Sequence, residues 1–157
     1  DFPDGYQSEI NLNMAPWFAS LSSCLQQGVV LLIDYGFPRH EYYHGDRDMG
    51  TLMCHYQHHA HSDPLLYPGL QDITAHVDFT AVAEAAYAAG LDVVGFTNQA
   101  SFLLNCGIND DESKNIAALK QLLMPSEMGE LFKVMALAKG NVPDLIGFLR
   151  MDQLHRL

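Results

Sequence analysis

The sequence has no glycine-rich strand–turn–helix fingerprint: nowhere do closely spaced glycines follow an apolar run and open a helix. A complete nucleotide cradle is therefore excluded from these 157 residues. Cysteine is scarce, with Cys24, Cys54 and Cys106 far apart and odd in number. That pattern excludes a disulfide scaffold and points to a reducing compartment. Neither a CxxC pair nor an HExxH pattern occurs, so no recognisable zinc motif is present. No apolar run approaches the roughly 20 residues of a membrane-spanning helix. The opening DFPDGYQSEI has neither the charged nor the apolar region of a signal peptide. It also lacks an initiating Met and begins in mid-pattern, so a processed or truncated start is expected. Basic residues are few, 8 Lys and Arg against 19 Asp and Glu, for a formal charge of −11. Nucleic acid, which needs a basic face, is not an expected partner.

With 48% hydrophobic residues the chain can bury a core and has the length of one domain. The run VVLLIDYG, residues 29–36, is unbroken, ends in an acid and a glycine, and reads as a strand buried on both faces in a parallel sheet. Upstream, Asn13 can cap a helix in which Met14, Trp17, Phe18, Leu21, Cys24 and Leu25 share one face and which Gly28 ends. Asp78 caps a second, alanine-rich helix, with Val77 and Val82 as a hydrophobic staple and Gly90 as its stop. Leu91 to Phe96 and Leu131 to Ala138 read as further strands, and Leu145 to Leu149 as a fourth or an edge addition. Asn98 to Cys106 and Glu112 to Met124 read as helices. Between Tyr35 and Val77 no regular element is evident. So long a loop is functional or disordered, and its aromatic residues argue against disorder.

In open α/β sheets ligands sit beyond the carboxyl ends of the strands, which makes Asp34, with Tyr35 and Gly36, the first candidate site. The alternative is a carboxylate that caps a neighbouring loop or helix. Arg47, Thr51 and the cluster Cys54, His55, His58, His59 and His61 form the second. Imidazoles and a thiolate suit a metal, but adjacent histidines diverge, so histidines that bond a substrate or fix the loop are the preferred reading. The third is Asp72 to Asp78, where Asp72 and His76 form a carboxylate–imidazole pair at the rim expected for Asp34, and Asp78 is explained by capping. Gln99 follows the second strand towards the same rim. Tyr42, Tyr43, Tyr56 and Tyr67 read as the loop's own small core, with a wall for a cationic side chain as the alternative.

The segments GVVLLIDYG, GTLMCHYQHHAH, YPGLQDITAHVDF, GFTNQASFLLNCGI and MGELFKVMALAKG resemble the C-terminal half of the MidA family. These are S-adenosyl-L-methionine (SAM)-dependent methyltransferases related to the mitochondrial protein arginine methyltransferase that assists respiratory complex I assembly. The similarity runs from about Gly5 to about Phe148. It implies an α/β fold, the C-terminal part of a Rossmann-like class I methyltransferase sheet with a long loop and a helical insertion. VVLLID would be the fifth strand of seven, and LDVVGF and LFKVMALA the last two.

Residues 1–157 are then a single domain fragment. SAM is the implied cofactor, but no residue here matches the family's glycine-rich loop, so its binding residues lie outside this chain. By the same resemblance the acceptor is an arginine side chain of a protein substrate. Asp34 and Asp72 are the candidate catalytic carboxylates, and Tyr35, Gly36, Arg47, Thr51, His55, His61, His76 and Gln99 the substrate-binding candidates. A homodimer and a bacterial cytoplasmic location are compatible with this picture. The rivals are a non-catalytic module that docks a basic partner and a metalloprotein built on the histidines. The first predicts acceptor binding without SAM, the second a metal in the purified protein.

Overall fold

The computed structural model describes residues 2–110 and 115–157. Helix α1 (Met14–Cys24) leads into strand β1 (Gly28–Phe37), then a short helix α2 (Arg39–Tyr42). A three-stranded antiparallel sheet follows, built from β2 (Met53–Tyr56), β3 (His59–His61) and β4 (Asp72–Thr74) in the order β3-β2-β4. The two-residue β5 (Val77–Asp78) and helix α3 (Phe79–Ala88) return the chain to the main sheet at β6 (Asp92–Asn98). Helices α4 (Gln99–Asn105), α5 (Ile116–Leu123) and α6 (Met128–Leu131) intervene before β7 (Phe132–Lys139). Among the described residues no helix is long and apolar enough to cross a membrane.

The main sheet has the order β5-β1-β7-β6, with β7 antiparallel to both β1 and β6. Strands β1 and β6 thus run the same way with β7 wedged between them. Direct parallel pairing is confined to Gly36 and Phe37 of β1 opposite Val77 and Asp78. The strands expected at residues 29–34, 91–96 and 131–138 and the helical insertion between the last two are present. The expectation of a strand buried on both faces belongs to β7, where Lys133 to Ala138 are all buried. In β1 the burial alternates: Val30 and Leu32 join the core, whereas Val29, Leu31 and Ile33 are 40%, 43% and 51% exposed.

Two apolar layers sandwich the sheet. On one side Phe18 of α1 and Val82 and Ala86 of α3 pack on Phe79, Leu91, Phe96, Met135 and Leu137. On the other, Phe102 of α4 and Phe148 cover Val134 and Ala136. Phe148 belongs to a 3₁₀ turn at Ile146–Phe148, so the strand expected there is replaced by a turn that plugs the sheet. Gly95 has room for no side chain because the Phe148 ring lies against it. Layer two stops short of β1, which is why that strand's outer face is bare.

The helix starts follow the expected chemistry. Asp78 Oδ1 accepts from Ala81 N–H at 3.0 Å and Asn98 Oδ1 from Ser101 N–H at 2.8 Å. Asn13 holds the cap position of α1, but its side chain makes no cap bond; Asn11 Oδ1 instead accepts from the Asn13 N–H. The start expected for α5 at Glu112 lies outside the described residues, and its observed cap is Asn115. The expected structureless stretch is corrected by the small sheet, whose hairpin turns through Gln57 and His58, both with positive φ. Two such residues make a type I′-like turn without the usual Asn-Gly, so no composition signal marked it.

Gly36 is the joint between the main sheet and the segment that carries His76. A Cβ there would collide with the Val77 backbone. Gly36→Ala should therefore split β1 from β5 and destabilise the protein by about 1–3 kcal/mol. Thermal unfolding of the variant measures this, and an unchanged Tm would contradict the close approach.

Candidate functional site

A cleft of about 970 Å³ runs along β1 on the edge away from β7. From Gly28 to Tyr35 that edge pairs with no strand among the described residues. The floor is Leu31, Leu32 and Ile33, and Met14, Trp17 and Phe18 of α1 form one wall. Tyr42, Tyr43, His76 and Val77 form another. Three carboxylates, Glu9, Asp34 and Asp78, line the cleft, and among the described residues no lysine or arginine does.

Two of the three carboxylates are already engaged. Asp78 is buried, caps α3 and lies 3.5 Å from Arg39 Nε. Arg39 in turn is held in a bidentate pair by Glu84, at 2.8 and 2.5 Å, which raises its pKa and lowers that of Glu84. Glu9 Oε1 accepts from Thr51 N–H at 2.8 Å and Leu52 N–H at 2.7 Å; Oε2 accepts from the Thr51 and Tyr42 hydroxyls at 3.2 and 3.3 Å. Burial pushes the Glu9 pKa up, but the backbone donors of Leu52 and Thr51 outweigh it and hold the carboxyl below its ordinary value. Burial also pushes the Tyr42 hydroxyl up to about 12, against the lowering effect of its bond with Thr51 and with help from the Glu9 charge.

Asp34 is different. It is exposed to the cleft, and Oδ1 accepts only from its neighbour's Tyr35 N–H at 2.8 Å. Its cross-strand partner is Lys133, but that ammonium is buried and bonded to Glu130. Oδ2 therefore keeps its lone pairs free among the described residues.

His76 lines the same cleft, close enough to Asp34 to feel its charge. Its ring stacks on Phe37 at 5.1 Å and meets the edge of Tyr35 at 5.1 Å. Burial pushes its pKa below the ordinary histidine value, and the nearby Arg47 charge adds to that, against opposing contributions from Glu9 and Asp34. Burial and Arg47 together favour the neutral imidazole. A backbone relay fixes it: His76 N–H donates to Thr51 Oγ1 at 2.9 Å, and that hydroxyl donates to Glu9.

Of the residues singled out in the sequence, the structure thus brings together Asp34, His76 and, at their backs, Tyr35 and Gly36. The others have different work. Thr51 spends its donors on Glu9, and Arg47 lies over the Phe37 ring at 4.1 Å and donates to the Glu41 carbonyl. Asp72 is not paired with His76: it sits on β4 opposite His55 of β2, both exposed and outside the cleft. His61 packs edge-on against Tyr67, which stacks on Tyr56, but Tyr67 is exposed, so the expected small core is reduced to a surface stack. Tyr42 and Tyr43 instead face the cleft. Gln99 is buried and donates to the Leu122 carbonyl, tying α4 to α5. Among the described residues no group of three His, Cys, Asp or Glu is placed to hold a metal. Glu9 went unrecognised in the sequence, because its only signal was an acid in a polar lead-in.

Residues 1–97 match the family described as "Putative S-adenosyl-L-methionine-dependent methyltransferase". The chain belongs to that family. Its relatives include the mitochondrial protein arginine methyltransferase NDUFAF7 of Mus musculus, 33% identical over 123 residues, which span 70% of this chain and 26% of that protein. The Drosophila melanogaster homolog is 29% identical over 126 residues, 72% of this chain and 27% of the fly protein. Among solved structures, a COG1565 superfamily protein from Burkholderia thailandensis bound to S-adenosyl-homocysteine superposes with a TM-score of 0.93 at 47% identity. It covers all of this chain, which spans 43% of it. The matched stretch thus spans about a quarter of these curated methyltransferase relatives and under half of this solved one. The methyltransferase cofactor fits this cleft only in part. The residues present build one wall and a free strand edge, with no glycine turn facing the cavity to cradle the adenosyl group.

Because the folded Glu9 pKa is depressed, its contribution to stability is present above the ordinary carboxylate pKa and lost as pH falls through the lowered value. Glu9→Gln should cost about 1–2 kcal/mol at neutral pH, since the amide cannot accept from all four donors. Denaturant unfolding at pH 7 and pH 4 tests this. The wild type should lose more on acidification than the variant, and equal losses would contradict the assignment.

Proposed function

We propose that this chain forms the acceptor side of a SAM-dependent methyltransferase and that the acceptor is an arginine side chain of a protein. One observation carries the reading: among the described residues the cleft is lined by carboxylates without a lysine or arginine, and of these Asp34 alone has an uncommitted oxygen. An apolar trough ending in a free carboxylate suits a long methylene stem with a planar cation at its tip. Met14, Trp17 and Leu32 would take the stem, and Tyr42 and Tyr43 offer faces to the guanidinium. The arginine methyltransferase named among the relatives supports the choice of acceptor.

SAM supplies a sulfonium methyl group, and its adenosyl portion is held by residues outside this stretch. The chain's own residues position the acceptor. Asp34 binds one edge of the guanidinium and fixes which nitrogen faces the open edge of β1, an orientation that lowers the barrier by restricting the acceptor before reaction. The acidic, partly apolar cleft strengthens that hold relative to water.

Incubating the full-length protein with radiolabelled SAM and a host-cell extract, then hydrolysing the protein in acid, should place label in methylarginine. Asp34→Asn should lower that rate by about 10²-fold or more while binding of S-adenosyl-homocysteine stays within about threefold. Label confined to other amino acids would remove the arginine acceptor, and undiminished transfer in Asp34→Asn would remove the role of Asp34.

A further inference from the structure

Methylation of a guanidinium creates a proton problem, and the cleft contains a group shaped to answer it. The acceptor enters with one positive charge. As its nitrogen bonds to the methyl carbon, the carbon–sulfur bond breaks and sulfur keeps the pair. The nitrogen must then lose a proton, or the product would carry two charges. Asp34 is committed to holding the cation, Glu9 has both oxygens filled by Thr51, Leu52 and Tyr42, and Asp78 is a helix cap. The imidazole of His76 remains.

We infer that His76 is the proton acceptor of the reaction, a role that rests on the methyl-transfer reading above. Nδ1 is sealed from solvent and neither ring nitrogen has a hydrogen-bond partner among the described residues, while the residue lines the same cleft as Asp34 and feels its charge. A ring whose Nδ1 finds no acceptor gains little from a second proton, so it rests neutral and releases what it takes. Stacking on Phe37, the Tyr35 edge and the Thr51–Glu9 tether hold the ring in one place. With the neutral ring's own proton on Nδ1, transfer runs from the guanidinium nitrogen to the Nε2 lone pair, the nitrogen not sealed off, and from Nε2 to water. The charged groups that face the ring are Arg47 from the loop after α2, Glu9 from the N-terminal segment and Asp34 from β1. Arg47 opposes protonation and the two carboxylates favour it, and burial leaves the ring neutral. Glu9 and Thr51 act through His76 and are positioning residues.

The test uses the full-length protein, radiolabelled SAM and the same host extract, with label counted in methylarginine across pH 5 to 9. The wild-type rate should fall on the acid side as His76 takes a proton, with a midpoint below 6.5, the ordinary histidine value. His76→Gln should lose about 10²-fold or more and lack that acid limb. His76→Gly should regain at least tenfold on addition of free imidazole, a response that loss of mere packing would not give. Binding of S-adenosyl-homocysteine within threefold of wild type shows that each variant is folded. A folded His76→Gln within threefold of the wild-type rate, an unchanged acid limb in it, or a folded His76→Gly that imidazole does not restore, overturns the assignment while leaving the arginine acceptor standing. A wild type that places no label in methylarginine removes both, which separates the two failures.

Discussion

A single carboxylate organises the cleft. Glu9 gathers two backbone N–H groups and two hydroxyls, and through Thr51 it fixes the backbone of His76, far along the chain. Charge-assisted hydrogen bonds of this kind are roughly twice as strong as neutral ones. The clasp also explains a glycine: the Glu9 carboxylate lies where a side chain at Gly50 would begin, and Gly50 has φ of +76°. The clasp thus joins Arg47 over the Phe37 ring and the β1–β5 pairing in holding the loop and His76 against β1.

The sheet contributes rigidity by the same economy. Antiparallel β7 is buried on both faces and carries β1 along eight consecutive positions, so Asp34 sits on a strand with little freedom to move. The small sheet, by contrast, carries Asp72, His55 and His61 and contributes nothing to the lining of the cleft. The segment rich in histidines is architecture around the site rather than the site.

How much of this was legible depended on whether the signal was local. Asp78 and Asn98 could be read as caps because a cap is decided within three residues. The strands followed from apolar runs. What failed was long-range. Whether VVLLID is covered on one face or two depends on where Phe102 and Phe148 reach, and its residues alone do not say. The hairpin at Gln57 and His58 uses residues that seldom adopt positive φ, so the β2–β3 pair looked like loop. Asp34 and His76 were readable as candidates because one ends an apolar run and the other precedes a helix cap. Glu9 was not, since its role exists only once Thr51 and Leu52 are folded against it.

The bare side of β1 has a practical meaning. The edge of β1 from Gly28 to Asp34, which meets no strand among the described residues and is flanked by the uncovered Val29, Leu31 and Ile33, makes a ready template on which another strand can zip. Produced as a separate polypeptide, this stretch would tend to clump strand upon strand, and its negative charge would be the main brake on precipitation. Solubility, more than foldedness, would then decide how it can be handled at the bench.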